Sequence, residues 1–70
     1  MNNRIKVLRA EKDWSQQTLA DNIGVSRQAI NAVERGKHDP SLQLAFDIAN
    51  QFNQRIEEIF FPGEKSDPET

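Results

Sequence analysis

Long polar side chains without a carboxylate recur between residues 27 and 35 of this 70-residue chain. Offsets of one, four and eight residues place them on one face of a helix, and the set is Arg27, Gln28, Asn31 and Arg35. Glutamine and asparagine amides can bond adenine through two atoms, and a guanidinium can bond guanine or a phosphate. The residue types and their spacing therefore favour a surface that contacts nucleic-acid bases.

Two short helices joined by a tight turn are predicted to position this face. Ser15 and Ser26 each precede an apolar-periodic run, and a serine hydroxyl there can accept a bond from an unpaired backbone N–H. Gly24 ends the first of these helices, because glycine adopts a positive φ at little cost. Residues 24–26 alone separate the two helices, which forces a sharp turn. The inner faces should share one core, formed by Leu19, Ala20, Ile23, Ile30 and Val33.

The remaining elements are also predicted to be helical. Residues 4–12 form a short amphipathic helix, Ser41 caps a fourth helix, and a fifth lies around residues 55–60. The fourth helix has the strongest period, carried by Leu44, Ala45, Ile48, Ala49 and Phe52. No stretch alternates with period two, so the fold class is all-α with five short helices. We expect one domain over residues 1–61 and a disordered polar tail over residues 62–70.

The charge is divided unevenly between the two halves of the chain. Residues 1–38 carry seven Lys or Arg against four acids, a net charge of +3. Residues 39–70 carry two basic residues against seven acids, a net charge of −5, which leaves −2 overall. A basic N-terminal half can still attract phosphates, although chance asymmetry in a short chain is an alternative explanation.

Other composition features indicate a soluble cytoplasmic protein. The chain has no cysteine, which fits a reducing compartment and excludes thiolate metal sites. It has no apolar run long enough to span a membrane and no signal peptide. His38 is the sole histidine, so neither a metal site nor a cofactor is expected. No activated nucleophile or acid–base pair is evident, and we predict that the chain is not an enzyme.

A longer motif runs through the same region. The segments Ser-Gln-Gln-Thr-Leu-Ala at residues 15–20, Ile-Gly-Val-Ser-Arg-Gln-Ala-Ile at residues 23–30 and Glu-Arg-Gly at residues 34–36 lie at fixed spacing. This pattern closely resembles the Cro/CI-type (Xre-like) helix-turn-helix family of phage and bacterial repressors. The likeness covers about residues 3–60 and implies a lambda-repressor-like fold. The short length is similar to the small stand-alone subgroup that includes the cytolysin repressor.

The resemblance implies roles for individual residues. Arg27, Gln28 and Asn31 are expected to face bases in the major groove. Contacts to the DNA backbone, which set register without reading sequence, are expected from Gln16, Ser26, Arg35, Lys37 and His38. Arg9 and Glu34 match a pair that forms a partly buried, structural salt bridge in phage repressors. The chain departs from the family where relatives often open the last helix with Thr-Pro, since it has Gln54-Arg55 there.

Large apolar residues are concentrated near the C-terminal end, at Ile56, Ile59, Phe60 and Phe61. They could close the core beneath the fourth helix, or they could form a homodimer interface, which we favour. A twofold dimer would place two recognition helices about 34 Å apart, one turn of B-DNA. The sequence thus predicts a dimeric regulator of double-stranded DNA, a repressor of a palindromic operator. The alternative is an antitoxin or protein-interaction module on the same scaffold, with a protein partner.

Overall fold

The computed structural model describes residues 1–62, which form five helices and a short pair of strands. The helices are α1 (Ile5–Lys12), α2 (Gln16–Ile23), α3 (Arg27–Glu34), α4 (Leu42–Phe52) and α5 (Ile56–Ile59). The strands are β1 (Asn2–Asn3) and β2 (Phe60–Phe61). The all-α fold class predicted from the sequence is confirmed. The predicted disordered tail lies outside the described residues, apart from Pro62.

Serine caps begin three of the helices, as the sequence predicted. The hydroxyl of Ser15 accepts from the backbone N–H of Thr18 at 3.0 Å and starts α2. Ser26 accepts from Ala29 at 3.0 Å and starts α3, the helix that carries the polar face. Ser41 accepts from Leu44 at 3.1 Å and starts α4. Each bond satisfies one of the backbone donors that a helix N-terminus leaves unpaired.

Left-handed residues end three of the helices. Gly24 ends α2 with a φ of 89°, in the region that glycine enters without steric cost. Asp13 ends α1 at 61° and Asn53 ends α4 at 54°. Short polar side chains tolerate this conformation better than other non-glycine residues. These stops keep α1, α2 and α4 short enough to pack around one core.

The core is formed by apolar residues from every helix. Ile5, Leu19, Ile30, Ile48 and Ile59 are fully buried, each from a different helix. Trp14 packs against this cluster from the loop after α1, and its ring lies 5.6 Å from that of Phe52. Of the four residues proposed for a dimer interface, Ile59 and Phe60 are buried inside the protomer. Those two close the core, the alternative that the sequence left open, because α5 packs its inner face beneath α4.

The short strands add a β-pair that the sequence analysis did not predict. Asn2 pairs with Phe61 and Asn3 with Phe60 in antiparallel register. The Asn3 side chain donates to the carbonyl of Val33 at 2.8 Å and accepts from the N–H of Ile5 at 3.1 Å. Strands of two residues are too short to show an alternating pattern. The pair ties both ends of the domain to the last turn of α3.

Helix α5 begins without a serine or proline. Glu58 supplies the missing N-terminal contact, since its carboxylate accepts from the backbone N–H of Arg55 at 2.8 Å. This is the reciprocal half of a capping box, in which an acid three residues into the helix bonds the residue before it. The departure at Gln54-Arg55 therefore leaves α5 with a defined start, and the helix spans four residues.

Candidate nucleic-acid interface

The polar face is positioned by the packing of α2 against α3. After α2, the N–H groups of Gly24 and Val25 both bond the carbonyl of Ala20, at 2.8 and 3.0 Å. Ala20 is fully buried, and a larger side chain there would overpack the core and push the two helices apart. The turn therefore passes directly into the cap at Ser26, and α3 is held with one side on the core.

The polar face predicted from the sequence lies on the outer side of α3 and on Arg35, the residue directly after this helix. Arg27, Gln28 and Arg35 are exposed, and Asn31 is half-buried. The only acid in α3 is Glu34, whose side chain is 6% exposed. Arginine, glutamine and asparagine together offer both donors and acceptors to base edges, and no exposed carboxylate of α3 opposes an approaching phosphate.

Further groups that could contact phosphates flank α3 at both ends. Ser26 is exposed before the helix, although its hydroxyl already accepts a backbone bond. After the helix, Lys37 and His38 are exposed, and their backbone N–H groups bond the carbonyl of Ala32 at 3.0 and 3.3 Å. These bonds fold the loop back against the end of α3. The residues expected to touch the DNA backbone therefore adjoin the residues expected to touch bases.

Arg9 and Glu34 form an ion pair that joins α1 to α3. The guanidinium makes two parallel bonds to the carboxylate, Nε to Oε2 at 2.5 Å and Nη2 to Oε1 at 3.0 Å. Its Nη1 donates to the carbonyl of Trp14 at 2.9 Å. The Arg9 side chain is 13% exposed, so the pair lies largely out of water. Such a bidentate pair fixes geometry as well as charge.

Gln16 lies between this ion pair and the polar face. Its Nε2 donates to Oε1 of Glu34 at 3.1 Å, and its Oε1 accepts from Nδ2 of Asn31 at 3.5 Å. The sequence predicted a phosphate contact for Gln16 but did not predict these contacts within the protein. Asn31 and Glu34 are three residues apart and so share a helix face, but no sequence signal placed Gln16 beside them.

The part of the chain that the structure describes was found to hold neither a candidate metal site nor a membrane-spanning helix. Within residues 1–62, no three His, Asp or Glu side chains are grouped so that they could hold a metal ion. None of the described helices is long and apolar enough to cross a membrane.

Comparison with known proteins gives consistent matches. Residues 5–59 match the helix-turn-helix family. An uncharacterised HTH-type transcriptional regulator of Methanocaldococcus jannaschii is 53% identical over 60 residues, which cover 86% of this chain and 91% of that protein.

Solved structures agree with this comparison. The restriction-modification controller protein C.AhdI of Aeromonas hydrophila superposes with a TM-score of 0.74 at 35% identity, over 81% of this chain and 86% of that one. The N-terminal DNA-binding domain of SinR from Bacillus subtilis superposes with a TM-score of 0.71 at 29% identity, over 77% and 80% of the two chains.

Proposed function

The chain belongs to the helix-turn-helix family and is a DNA-binding transcriptional regulator, and we propose that it represses transcription as a homodimer on a palindromic operator. In this proposal α3 enters the major groove, where Arg27, Gln28 and Asn31 contact bases. Gln16, Ser26, Arg35, Lys37 and His38 hold the DNA backbone. The bound protein would exclude RNA polymerase sterically from the operator. We place the protein in the cytoplasm, together with the DNA that it binds.

One observation supports the DNA-reading face above all others. Arg27 and Gln28 are exposed on α3, and Arg35 is exposed directly after it, while the one acid of that helix is bound by Arg9 and almost fully buried. A carboxylate on this surface would repel phosphates at close range, and the ion pair removes it. The surface that remains combines a positive field with groups that can discriminate base edges.

A separate apolar surface supports the homodimer. Leu42 is 71% exposed and Phe46 is 50% exposed, both on α4, and Phe61 is 39% exposed on β2. A groove of about 440 Å³ lies beside Leu42, between α4 and α5, and its walls include Pro40, Ala45, Ile56 and Phe60. None of the residues proposed to contact DNA lines this groove. The two surfaces could therefore be occupied at the same time.

The burial of Ile59 and Phe60 changes which residues the dimer proposal uses. Ile56 is half-buried and Phe61 is exposed, so these two remain from the set named in the sequence analysis. Leu42 and Phe46 join Ile56, because Leu42 lines the α4–α5 groove together with Ile56 and Phe46 lines a neighbouring hollow together with Ile56. Phe61 follows Phe60, which also lines the groove. A twofold interface requires one self-complementary patch, and this apolar patch is the candidate.

The test is selection of duplexes from a randomised library by the full chain, repeated over a range of salt concentrations. The proposal predicts enrichment of a palindrome whose half-sites are separated by about one helical turn. Retention that falls with salt and enriches no sequence would show non-specific phosphate binding only and would refute specific recognition. Absence of retention at low salt would refute DNA binding and would favour a protein-interaction role for the same scaffold.

A further inference from the structure

A series of hydrogen bonds runs from the interior of the domain to the outer face of α3. It begins at the guanidinium of Arg9 and passes to the carboxylate of Glu34 at 3.0 Å, measured from Nη2 to Oε1. The same Oε1 accepts from Nε2 of Gln16 at 3.1 Å. Oε1 of Gln16 then accepts from Nδ2 of Asn31 at 3.5 Å, a long hydrogen bond. Four side chains from three helices are thus linked in one series.

The donors and acceptors of these four side chains can be arranged in only one order along the series. A guanidinium can only donate and an ionised carboxylate can only accept. Glu34 therefore requires the NH₂ group of Gln16, which turns the carbonyl oxygen of Gln16 away from it. That oxygen can only accept, so it requires the NH₂ group of Asn31 in turn. The carboxylate of Glu34, which is held by Arg9, therefore fixes the orientation of both amides.

The orientation of the Asn31 amide decides what it can offer to DNA. Because Nδ2 is engaged by Gln16, the carbonyl oxygen Oδ1 lies on the opposite side of the amide group. One N–H of Nδ2 also remains, since an amide nitrogen has two hydrogens. In the major groove, adenine presents N6 as a donor beside N7 as an acceptor, and cytosine presents N4 as a donor. Guanine presents only acceptors at O6 and N7, and thymine presents the acceptor O4.

We propose that Arg9, Glu34 and Gln16 are positioning residues that hold Asn31 with its oxygen toward the DNA, so that Asn31 selects a base carrying an amino group. Adenine is the preferred base because it can also accept the remaining N–H. This inference rests on the proposed function, since it requires α3 to enter the major groove. An unrestrained asparagine could rotate its amide and bind either a base with an amino group or a base with acceptors alone. The series of hydrogen bonds therefore adds selectivity.

The proposal is compatible with a phosphate contact by Gln16 and can be separated from it. One hydrogen of Nε2 bonds Glu34, and the other is available to a phosphate oxygen. Loss of a phosphate contact weakens binding to all sequences alike. Loss of amide orientation instead changes the preference at one base pair and leaves the other positions unchanged. The two roles therefore predict different patterns of affinity.

The decisive variant is Gln16→Met, which keeps the length of the side chain and removes its hydrogen bonds. The matched control is Gln17→Met on the same helix, because Gln17 is exposed and its amide bonds Asp21 at 2.8 Å outside the series. Circular dichroism and thermal melting establish that both variants fold. Asn31→Ala first identifies the base pair that Asn31 reads in the selected operator, as the position where preference is lost.

Affinity is then measured for four duplexes that differ only at that base pair. For the wild-type chain a two-atom contact predicts discrimination of roughly 5- to 150-fold in favour of the amino-bearing base. Gln16→Met should reduce this ratio about fivefold or more and leave the ratios at other positions unchanged, while Gln17→Met should leave all ratios unchanged. In the Asn31→Ala background, Gln16→Met should produce no further change in preference.

Two results would overturn the inference while the proposed function stands. One is an equal loss of affinity for all four duplexes in Gln16→Met, which would leave Gln16 with a phosphate contact alone. The other is a wild-type preference for guanine or thymine at the base pair that Asn31 reads. A wild-type chain that selects no sequence would instead refute the proposed function itself.

Discussion

Replacement of Arg9 by methionine should destabilise the domain far more than the same change at an exposed arginine. Arg9 donates three hydrogen bonds, two to Glu34 and one to the carbonyl of Trp14. Methionine retains an apolar stem but leaves a carboxylate that is 6% exposed without its counter-ion. Breaking a buried ion pair from one side costs about 3–5 kcal/mol. Because Arg9 keeps some contact with water, we expect about 3 kcal/mol, the lower end of that range.

This loss is large relative to the total stability of such a chain. A domain of this length is stable by about 4–10 kcal/mol, so the variant would lose roughly 30 to 75% of its free energy of unfolding. A change of about 3 kcal/mol corresponds to roughly 12–24 °C in Tm for a small domain. The assay is urea denaturation followed by circular dichroism. It is repeated at several protein concentrations, since dimer formation would make the apparent stability depend on concentration.

The control is Arg55→Met, because Arg55 pairs with Glu57 but both side chains are largely exposed, at 75% and 69%. That variant should change stability by no more than about 0.5 kcal/mol. The double variant Arg9→Met/Glu34→Met removes both charges and should be less destabilised than the sum of the two single variants. Equal stability losses for Arg9→Met and Arg55→Met would refute the argument that burial gives the Arg9–Glu34 pair its importance.

Three further predictions follow from other parts of the structure. Lys37→Ala should weaken binding to all duplexes alike and lower the slope of log affinity against log salt concentration by about one, which a salt titration measures. A change in base preference would contradict the assignment of Lys37 to the DNA backbone. Ser41→Ala should cost about 1 kcal/mol, because its hydroxyl caps α4 through the N–H of Leu44; a denaturation midpoint equal to that of the wild type would contradict the cap. Leu42→Asp should convert the proposed dimer to monomer in sedimentation experiments, and it should keep the fold, since an acid is favourable in the first turn of a helix. Val7→Asp, at an exposed apolar position on α1, is the control and should leave the proposed dimer intact. A dimeric Leu42→Asp would exclude the α4–α5 patch.

Local signals in the sequence were sufficient to predict the five helices and the starts of three of them. Ser15, Ser26 and Ser41 cap three helices because a short hydroxyl side chain acts on backbone groups only three residues away. Gly24 ends α2 for an equally local reason, its positive φ. Arg27, Gln28 and Arg35 were predicted on one exposed face from helical spacing, and the structure exposes all three.

Among contacts between distant residues, the Arg9–Glu34 ion pair was expected from the family resemblance, but several others were not predicted. Ile59 and Phe60 look like surface candidates when α5 is considered alone, but α4 and the core bury them. The β1–β2 pair joins residues from opposite ends of the chain, and two-residue strands carry no periodic signal. The link from Gln16 to Glu34 and Asn31 depends on the angle at which α2 crosses α3. Such contacts are set by tertiary packing, which local patterns do not encode.

The central claim is that the exposed face of α3 reads bases, and Gln28→Ala tests it most directly. Gln28 is exposed on α3, so its truncation should leave the fold intact. Affinity for the selected operator should fall by about 1–3 kcal/mol, and preference should relax at a single base position. Gln43→Ala is the control, since Gln43 is also exposed, lies on α4 and bonds Asp47 on the same helix, and this variant should bind as the wild type does. Unchanged affinity and unchanged base preference in a folded Gln28→Ala would contradict the assignment of α3 as the recognition helix.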